Sequence, residues 1–465
     1  MDKAITNEEY NTIIIGGGCA GIASAIAAAK NGAKILLIES GPFLGGELIS
    51  GLPIDGCLNA RGEWIVGGII KEIFDECAKR KGYIGPVCDF RALWVVCIDP
   101  IIMQFAIIDV LKRYSIDILL YSFADGVEID NNKIRGIYVT NKLGRTFYSA
   151  KIFIDCTGDG DIAVKSGASF EQGGSNLEDL QPVSIVYRME NVDSEKLLKF
   201  VIDNLDNVSL GESEYIANGK SKKELAESLI KQGLPKVFFI GDGPLLSSAI
   251  EDGLIEPCSM LAITPNSILR KAVSINSTRI VVDAQKTNDL SKAIYILYNQ
   301  IDQGVNFLIN RVPGFENSKF AGIAPRIGIR ETRRIIGDYI LTREDVLGAK
   351  KCYDGVAKGG HEIDIHGKGK EHTRLQLKDG GSYDIPYGCL IPKGILNLFI
   401  AGRIISSTRE AHSSARVMGT CMAMGQAVGT AASICVKNNL LPREVNVSIL
   451  RSILMEQGAI LNGTY

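Results

Sequence analysis

The sequence predicts an α/β protein, a parallel-sheet domain carrying an antiparallel excursion, with a second, α+β domain inserted into it. Three observations predict it. An apolar strand, a Gly-rich turn and a small-residue helix follow one another over residues 12–30; a second buried apolar run ends in a Gly-rich turn at 150–161; and a third ends in Ala401-Gly402-Arg403 after a long stretch of different character. In open α/β sheets such turns sit at the carboxyl ends of the strands, where a ligand can lie across them.

The first unit reads Thr12-Ile13-Ile14-Ile15, then Gly16-Gly17-Gly18-Cys19-Ala20-Gly21, then an Ala/Ile-rich run to Lys30, then Ala33 to Glu39. Strand, tight turn, helix and a second parallel strand make a βαβ unit whose G-x-G-x-x-G is the Rossmann fingerprint for a dinucleotide. Gly16 allows the turn, Gly18 lets the backbone approach a pyrophosphate, and Gly21 lets the helix pack close, while the helix N-terminus offers free N–H groups to negative charge. Glu39 ends the second strand and can accept hydrogen bonds from ribose hydroxyls; it would repel a 2'-phosphate, which argues against NADP. The apolar run over 12–29 could also read as a membrane anchor, but three glycines interrupt it, no positive region precedes it, and a strand ending in an acid follows.

A chain of 465 residues can bury a large core and suits two domains. Its hydrophobic content of 46% and charged content of 22% are ordinary globular values, and a net charge of −2 with only short basic clusters such as Lys220 to Lys223 calls for neither nucleic acid nor an anionic membrane. The eleven cysteines show no C-x-x-C or zinc-like spacing, so no metal site is expected. They suit a reducing compartment, and without a signal peptide or an uninterrupted apolar 20-mer a cytoplasmic protein is expected.

The loop Ser40 to Gly51 is Gly-rich, read either as a path for a long dinucleotide or as an ordinary surface loop. Apolar spacing predicts helices over 67–81 and from Asp99 to Tyr114. Strand-like runs follow at Ile116–Tyr121, Gly126–Ile129, Lys133–Thr140 and Arg145–Tyr148, separated by the turns Asp130-Asn131-Asn132 and Lys142-Leu143-Gly144, and the chain then returns at Ala150 to the strand ending in Asp155-Cys156-Thr157-Gly158-Asp159-Gly160-Asp161. From about Leu180 the Gly-rich turns disappear and polar helices such as Asp193–Asp203 and Ser221–Gln232 take over. The expected division is therefore 1–180 with 321–465 as one discontinuous domain, and 181–320 as the insertion.

With Gly16–Gly21, Asp155–Asp161, Ala401–Arg403 and Gly425-Gln426-Ala427-Val428-Gly429 in this order, the chain resembles the FAD-dependent oxidoreductases related to fumarate reductase and succinate dehydrogenase flavoproteins. The resemblance covers 10–170 and 320–435 and implies a glutathione reductase-like, Rossmann-type FAD-binding domain with a cap over 181–320. It implies FAD with its ADP half on Gly16, Gly18, Ala20, Gly21 and Glu39, its flavin half near Gly45, Gly46, Gly402, Arg403, Gly419 and Thr420, and further contacts at Val127, Thr157, Gly158 and Asp161. No histidine stands between Glu39 and Gly51, where the respiratory enzymes attach FAD, so noncovalent FAD is expected. With no appended haem or iron–sulfur domain, electrons would pass to or from a separate partner.

The resemblance also implies that a run such as His412-Ser413-Ser414-Ala415-Arg416-Val417-Met418-Gly419 binds a substrate carboxylate; Arg416 could equally hold the flavin or an internal acid. His412 and Arg416 would share a face of a helical turn, unless Ser413-Ser414 break it. Arg330 and Arg333, in a cluster with Arg334 and Glu331, would share a helix side suited to a bidentate grip, or make salt bridges between cap and FAD domain. His366 with Asp364 is a proton-donor pair or a turn-stabilising histidine. The favoured function is hydride exchange between flavin N5 and a small polar, carboxylate-compatible substrate, in a monomer or homo-oligomer; a flavoprotein acting on tRNA and an electron-transfer subunit without substrate chemistry are the alternatives.

Overall fold

A computed structural model describes residues 4–5, 10–173, 179–366 and 372–463. The β-branched run Tyr10–Ile15 forms the centre of the main sheet, pairing in parallel with Ile35–Ile38 on one side and with the strand Gly144–Asp155 on the other. Asp117–Leu119 extends the sheet beyond Ile35–Ile38, and Leu398–Ile400 pairs in parallel with Phe153 to Asp155. Strand side chains alternate between faces, so Ile14 enters the core under the helices while Ile13 and Ile15 enter the core under the excursion.

The excursion is a meander of Phe123–Asp130, Lys133–Asn141 and the first half of Gly144–Asp155. Its first turn places Asn131 and Asn132 at φ of 48° and 62°, the left-handed pair that a two-residue hairpin loop requires. The runs 145–148 and 150–155, expected as separate strands, are one strand of twelve residues. Nothing in Tyr148 to Lys151 breaks an extended chain, so the same strand serves the antiparallel meander with one half and the parallel sheet with the other. The helices expected over 67–81 and 99–114 are Ile69–Lys79 and Pro100–Arg113, the second capped by the Asp99 carboxylate on the N–H groups of Ile101 and Ile102.

Helix Cys19–Lys30 packs against Met418–Asn438, and the small residues of both sequences set how closely. A Cβ on Gly425 would stand 2.2 Å from the Ala20 carbonyl oxygen, and one on Gly429 2.3 Å from that of Ser24. Met418–Asn438 is long and apolar enough to cross a bilayer by composition, but 83% of its most apolar stretch is buried inside the protein.

The stretch after Leu180 contributes a five-stranded antiparallel sheet, in the order Val237–Ile240, Met260–Ser267, Ala272–Asn276, Tyr187–Glu190, Lys319–Ile323. Helices Ser194–Asp203, Lys222–Gln232 and Thr287–Arg311 accompany it, and Tyr187, Phe239, Phe307 and Phe315 fill a cluster of its own. One expectation fails here. Residues 330–334 form no helix; Arg333–Ile335 is a strand antiparallel to Phe170–Gln172, so Arg330 and Arg333 do not share a helix side. An extended chain sends neighbouring arginines to different partners, and these are taken up below.

Candidate functional site

The carboxyl ends of the parallel strands open on a cavity of about 340 Å³, lined by both Gly-rich turns, by Gly402 and Arg403, and by residues of the second sheet. Gly16 has φ of 99°, and a Cβ there would stand 2.3 Å from the Cys156 carbonyl oxygen, so the turn exists only with glycine. A Cβ on Gly21 would stand 1.8 Å from the Gly16 oxygen, which is the close packing expected of the third glycine. Gly18, the N-cap of Cys19–Lys30, has open space where its Cβ would be and no side chain capping the helix. The uncapped N–H groups at the cavity wall are what an anionic pyrophosphate requires, and the residues present thus fit a dinucleotide.

Glu39 lines the cavity and ties two loops together, its Oε2 accepting from Gly17 N–H at 2.7 Å and its Oε1 from Gly41 N–H at 2.7 Å. Both oxygens keep lone pairs for ribose hydroxyls. Glu39→Ala is expected to weaken dinucleotide binding by about 1–3 kcal/mol, the scale of hydrogen bonds to a charged group; a titration of apoprotein showing unchanged affinity would refute the ribose role.

Ala20, Gly46, Thr157, Gly158, Asp161, Gly402 and Arg403 also line the cavity. The Thr157 hydroxyl organises its turn, donating to Asp155 Oδ1 at 2.7 Å and accepting from the N–H groups of Gly160 and Asp161. Arg403 donates to Asp159 at 2.7 Å and to Thr332. Burial alone would raise the Asp159 carboxyl, but the facing Arg403 and the Thr332 hydroxyl hold it below the usual carboxylate value.

Four expected contacts fall elsewhere. Gly45 is packed under Ile49 and Ile107 and gives its N–H to Gly17, so of the two glycines only Gly46 lines the cavity. Val127 lies further along its strand in the apolar cluster, and Ser122, Phe123 and Ala124 take the wall instead. Gly419 is pressed onto Gly56 and Thr420 is buried one residue beyond, so the last helix presents Val417, Met418 and Cys421 to the cavity. In each case the strand or helix phase puts a neighbouring residue on the ligand side.

The arginines separate by partner. Arg333 donates to the Asp159 carbonyl and Asp161 at 3.1 Å each, and Arg334 pairs with Glu331 and Glu171. Both are structural ion pairs away from the cavity wall. Arg330 and Arg416 do line it. Arg330 donates to the Pro182 carbonyl at 2.6 Å and the Ser184 hydroxyl at 2.8 Å; Arg416 donates to Gln181 Oε1 at 3.1 Å and the Asp364 carbonyl at 3.4 Å. Among the described residues neither has a carboxylate partner. Arg279, just beyond the strand Ala272–Asn276, adds its charge near Arg330, and nothing in the sequence but its residue type marks it. Burial, together with repulsion from Arg279 and Arg416, pushes the Arg330 guanidinium down to about 9.

Ser413 and Ser414 do not break the turn, because helix Arg409–Ala415 includes both, with Ser413 donating to the Glu410 carbonyl and Ser414 to that of His361. His412 and Arg416 are nevertheless not partners. His412 is fully buried off the cavity wall and its Nε2 lies 2.7 Å from the Arg403 carbonyl, so Nε2 carries the proton and donates. Burial and the neighbouring Arg416 and Arg334 hold the ring neutral, well below its ordinary value. Its place is that of a spacer under Arg403, not of a substrate acid.

His366 does not line the cavity either. Asp364 and His366 lie two residues apart on Ile363–His366, and His372 pairs directly with His366 from the facing strand, so all three share one face of a hairpin. Nε2 of His372 and of His366 meet the two Asp364 oxygens at 2.5 and 3.2 Å, and the rings stack at 4.4 Å. Three ligand atoms within 4.8 Å of one another is a grouping the cysteines did not announce. Metal-ligating histidines normally anchor their second nitrogen, whereas Nδ1 of His366 is buried without a partner. Arg374 stands 3.9 Å from the carboxylate, and the charges of Arg279, Arg330 and Arg416 act on it as well. Such a charge environment favours anions over a metal cation and disfavours added protons, and burial with Arg279 and Arg330 pushes His366 down to about 3 despite Asp364.

Comparison with known proteins gives three kinds of finding. The pattern of the FAD dependent oxidoreductase family matches residues 11–454. Glutathione reductase of Schizosaccharomyces pombe is 35% identical over 74 residues, a match spanning 16% of this chain and 15% of that enzyme. Among solved structures, a geranylgeranyl bacteriochlorophyll reductase-like protein from Thermoplasma acidophilum superposes with a TM-score of 0.46 at 13% identity, covering 98% of this chain and 84% of that one. The flavin-dependent brominase Bmp2 gives 0.46 at 11% identity, covering 97% and 83%.

Proposed function

Because the chain belongs to the FAD-dependent oxidoreductase family, we propose that it exchanges hydride between flavin N5 and a small polar substrate that carries a carboxylate. FAD is the cofactor, and when bound it supplies the site that accepts or gives hydride. The residues that would hold it are Gly16, Gly18, Ala20 and Glu39 on the nucleotide side, with Gly46, Thr157, Gly158, Asp161 and Gly402 along the rest of the wall.

One observation carries the substrate class. Four arginines line the cavity; Arg326 and Arg403 each face an acid, as do Arg333 and Arg334 nearby, whereas Arg330 and Arg416 donate to neutral acceptors only. The Asp364 charge acts on both guanidiniums only from a distance, and a desolvated charge without a direct ion pair is costly, so an anionic ligand in contact would relieve it. The planar fork of each guanidinium suits a carboxylate in two-point contact. The likeness of the run His412 to Gly419 to the substrate segment of fumarate reductase-like flavoproteins supports the reading through Arg416, not through His412. Restoring the cofactor after each turnover also calls for a second electron carrier, diffusible or protein.

Anaerobic addition of hydroxy acids, amino acids and enoates, with sugars as controls, tests the class. Bleaching of the oxidised protein by a carboxylate compound, or reoxidation of the reduced protein by one, is expected; response to sugars alone would overturn it. The cofactor link has its own test. The loop from Ser40 to Gly51 holds no histidine, and acid precipitation is expected to release all yellow colour into the supernatant, with colour kept in the pellet as the contrary result.

A further inference from the structure

Five carboxyl groups line the cavity: Glu39, Glu47, Asp55, Asp159 and Asp161. Four have work elsewhere. Glu39 holds two backbone N–H groups, Glu47 faces Arg326 at 3.4 Å, Asp159 pairs with Arg403, and Asp161 pairs with Arg333. Asp55 is different, since no hydrogen bond or ion pair reaches its carboxyl from any described residue. Other acids nearby are all taken up. Asp89 accepts three backbone N–H groups, Asp155 accepts four hydrogen bonds, and Asp364 takes both histidines.

The backbone holding Asp55 is clamped. Ile54 exchanges both hydrogen bonds with Val96, at 2.8 and 3.1 Å, and the Asp55 carbonyl accepts from Gly419 N–H at 2.9 Å. Beyond it Gly56 and Gly419 touch so closely that a Cβ on Gly419 would stand 2.6 Å from the Gly56 carbonyl carbon. This acid is held rigidly on the cavity wall, which Arg416 and Met418 also line, and no protein donor occupies its carboxyl, so a ligand in the cavity can reach it. We propose that Asp55 is the proton acceptor and donor of this site.

Resting on the carboxylate-substrate reading, the step balances as follows. In oxidation of a hydroxy or amino acid the substrate C–H bond breaks and its electron pair leaves with the hydrogen as hydride to the bound cofactor. The O–H or N–H bond breaks in turn, its proton passes to the Asp55 carboxylate, and its electron pair becomes the new C=O or C=N bond. In reduction Asp55 returns the proton. Burial raises the Asp55 carboxyl above its ordinary value; His361 and Lys236, facing it, oppose the rise, while Asp89 and Asp364 add to it. Arg416 also faces it, and the nearby Cys57 and Cys97 thiols are themselves held protonated by burial. A raised carboxyl lies closer to the working pH of a general base.

The experiment compares wild type with Asp55→Asn and Asp55→Glu, all as FAD-loaded protein. A carboxyl raised in the folded state binds its proton more tightly there than in the unfolded chain, so it costs stability as pH rises through its folded value, and below the unfolded value near 4 it costs nothing. Asn carries no such cost. Asp55→Asn is therefore expected to melt above wild type at pH 8, with the gain vanishing near pH 4. With the carboxylate compound that bleaches wild type, its flavin reduction is expected to slow roughly 10²-fold or more and to lose the rise with pH that wild type shows, while Asp55→Glu recovers part of both. A variant no more stable than wild type at pH 8, or one that reduces its flavin at the wild-type rate, overturns the assignment. If only a sugar reduces the wild-type flavin, the substrate reading fails on its own, and the rate with that sugar in Asp55→Asn against wild type decides Asp55.

Discussion

Arg416→Lys is expected to keep its FAD and to slow anaerobic flavin reduction by on the order of 10²-fold, the lower part of the 2–5 kcal/mol range for breaking a buried hydrogen-bonded charge pair. The guanidinium lies at the cavity wall with a gap in its own bonding, since Nε has no partner and Nη2 reaches only Gln181 and the Asp364 carbonyl. A carboxylate can take the free edge of that fork. Lysine keeps the charge only in part, because a buried ammonium sheds its proton far more readily than a guanidinium, and it loses the two-point geometry. If the contact forms mainly in the transition state, the rate constant falls more than the substrate affinity does. Single-turnover bleaching with FAD content measured alongside decides the matter, and wild-type bleaching at full FAD content would move the substrate away from Arg416.

The second large effect separates two glycines of one turn. Gly21→Ala is expected to abolish FAD binding and lower stability by about 1–3 kcal/mol or more, because the new methyl would overlap the Gly16 carbonyl oxygen at 1.8 Å and must push apart the strand end and the helix that frame the turn. Gly18→Ala carries the same methyl into open space, at a φ of −77° that alanine adopts freely. Its melting temperature should match wild type within about 1 °C, since substitutions without a structural mechanism stay within ±0.5 kcal/mol, while its FAD affinity falls because the methyl stands between backbone and pyrophosphate. Thermal melts and FAD titration of the pair give the answer. Equal losses of stability in both variants would show that the turn, not the ligand, needs Gly18.

The nucleotide half of the site was legible because its signals are local. Gly16, Gly18 and Gly21 act within six residues of one another, and Glu39 is delivered by the next strand, so their spacing already contains their geometry. Errors of one residue or a few arose where the family resemblance could not say which neighbour faces the ligand: of Gly45 and Gly46 only Gly46 lines the cavity, and Met418 lines it where Gly419 was expected. Arg330 and Arg333 were assigned to one helix side on spacing that suits a helix, but the segment pairs with Phe170–Gln172, 163 residues distant in register at Glu171 and Arg334, and no local pattern announces such a partner.

What the sequence by itself determined is therefore the order of strand, turn and helix, the dinucleotide turn, and the family, each specified by residues close together in the chain. What only the tertiary structure decided is which charged side chains are left over. Arg333, Arg334 and Asp161 look in sequence like Arg330, Arg416 and Asp55, and they differ in making a direct ion pair with a distant segment. Pairing of charges depends on distance in space and on exclusion of water, and neither is written in the spacing of residues along the chain.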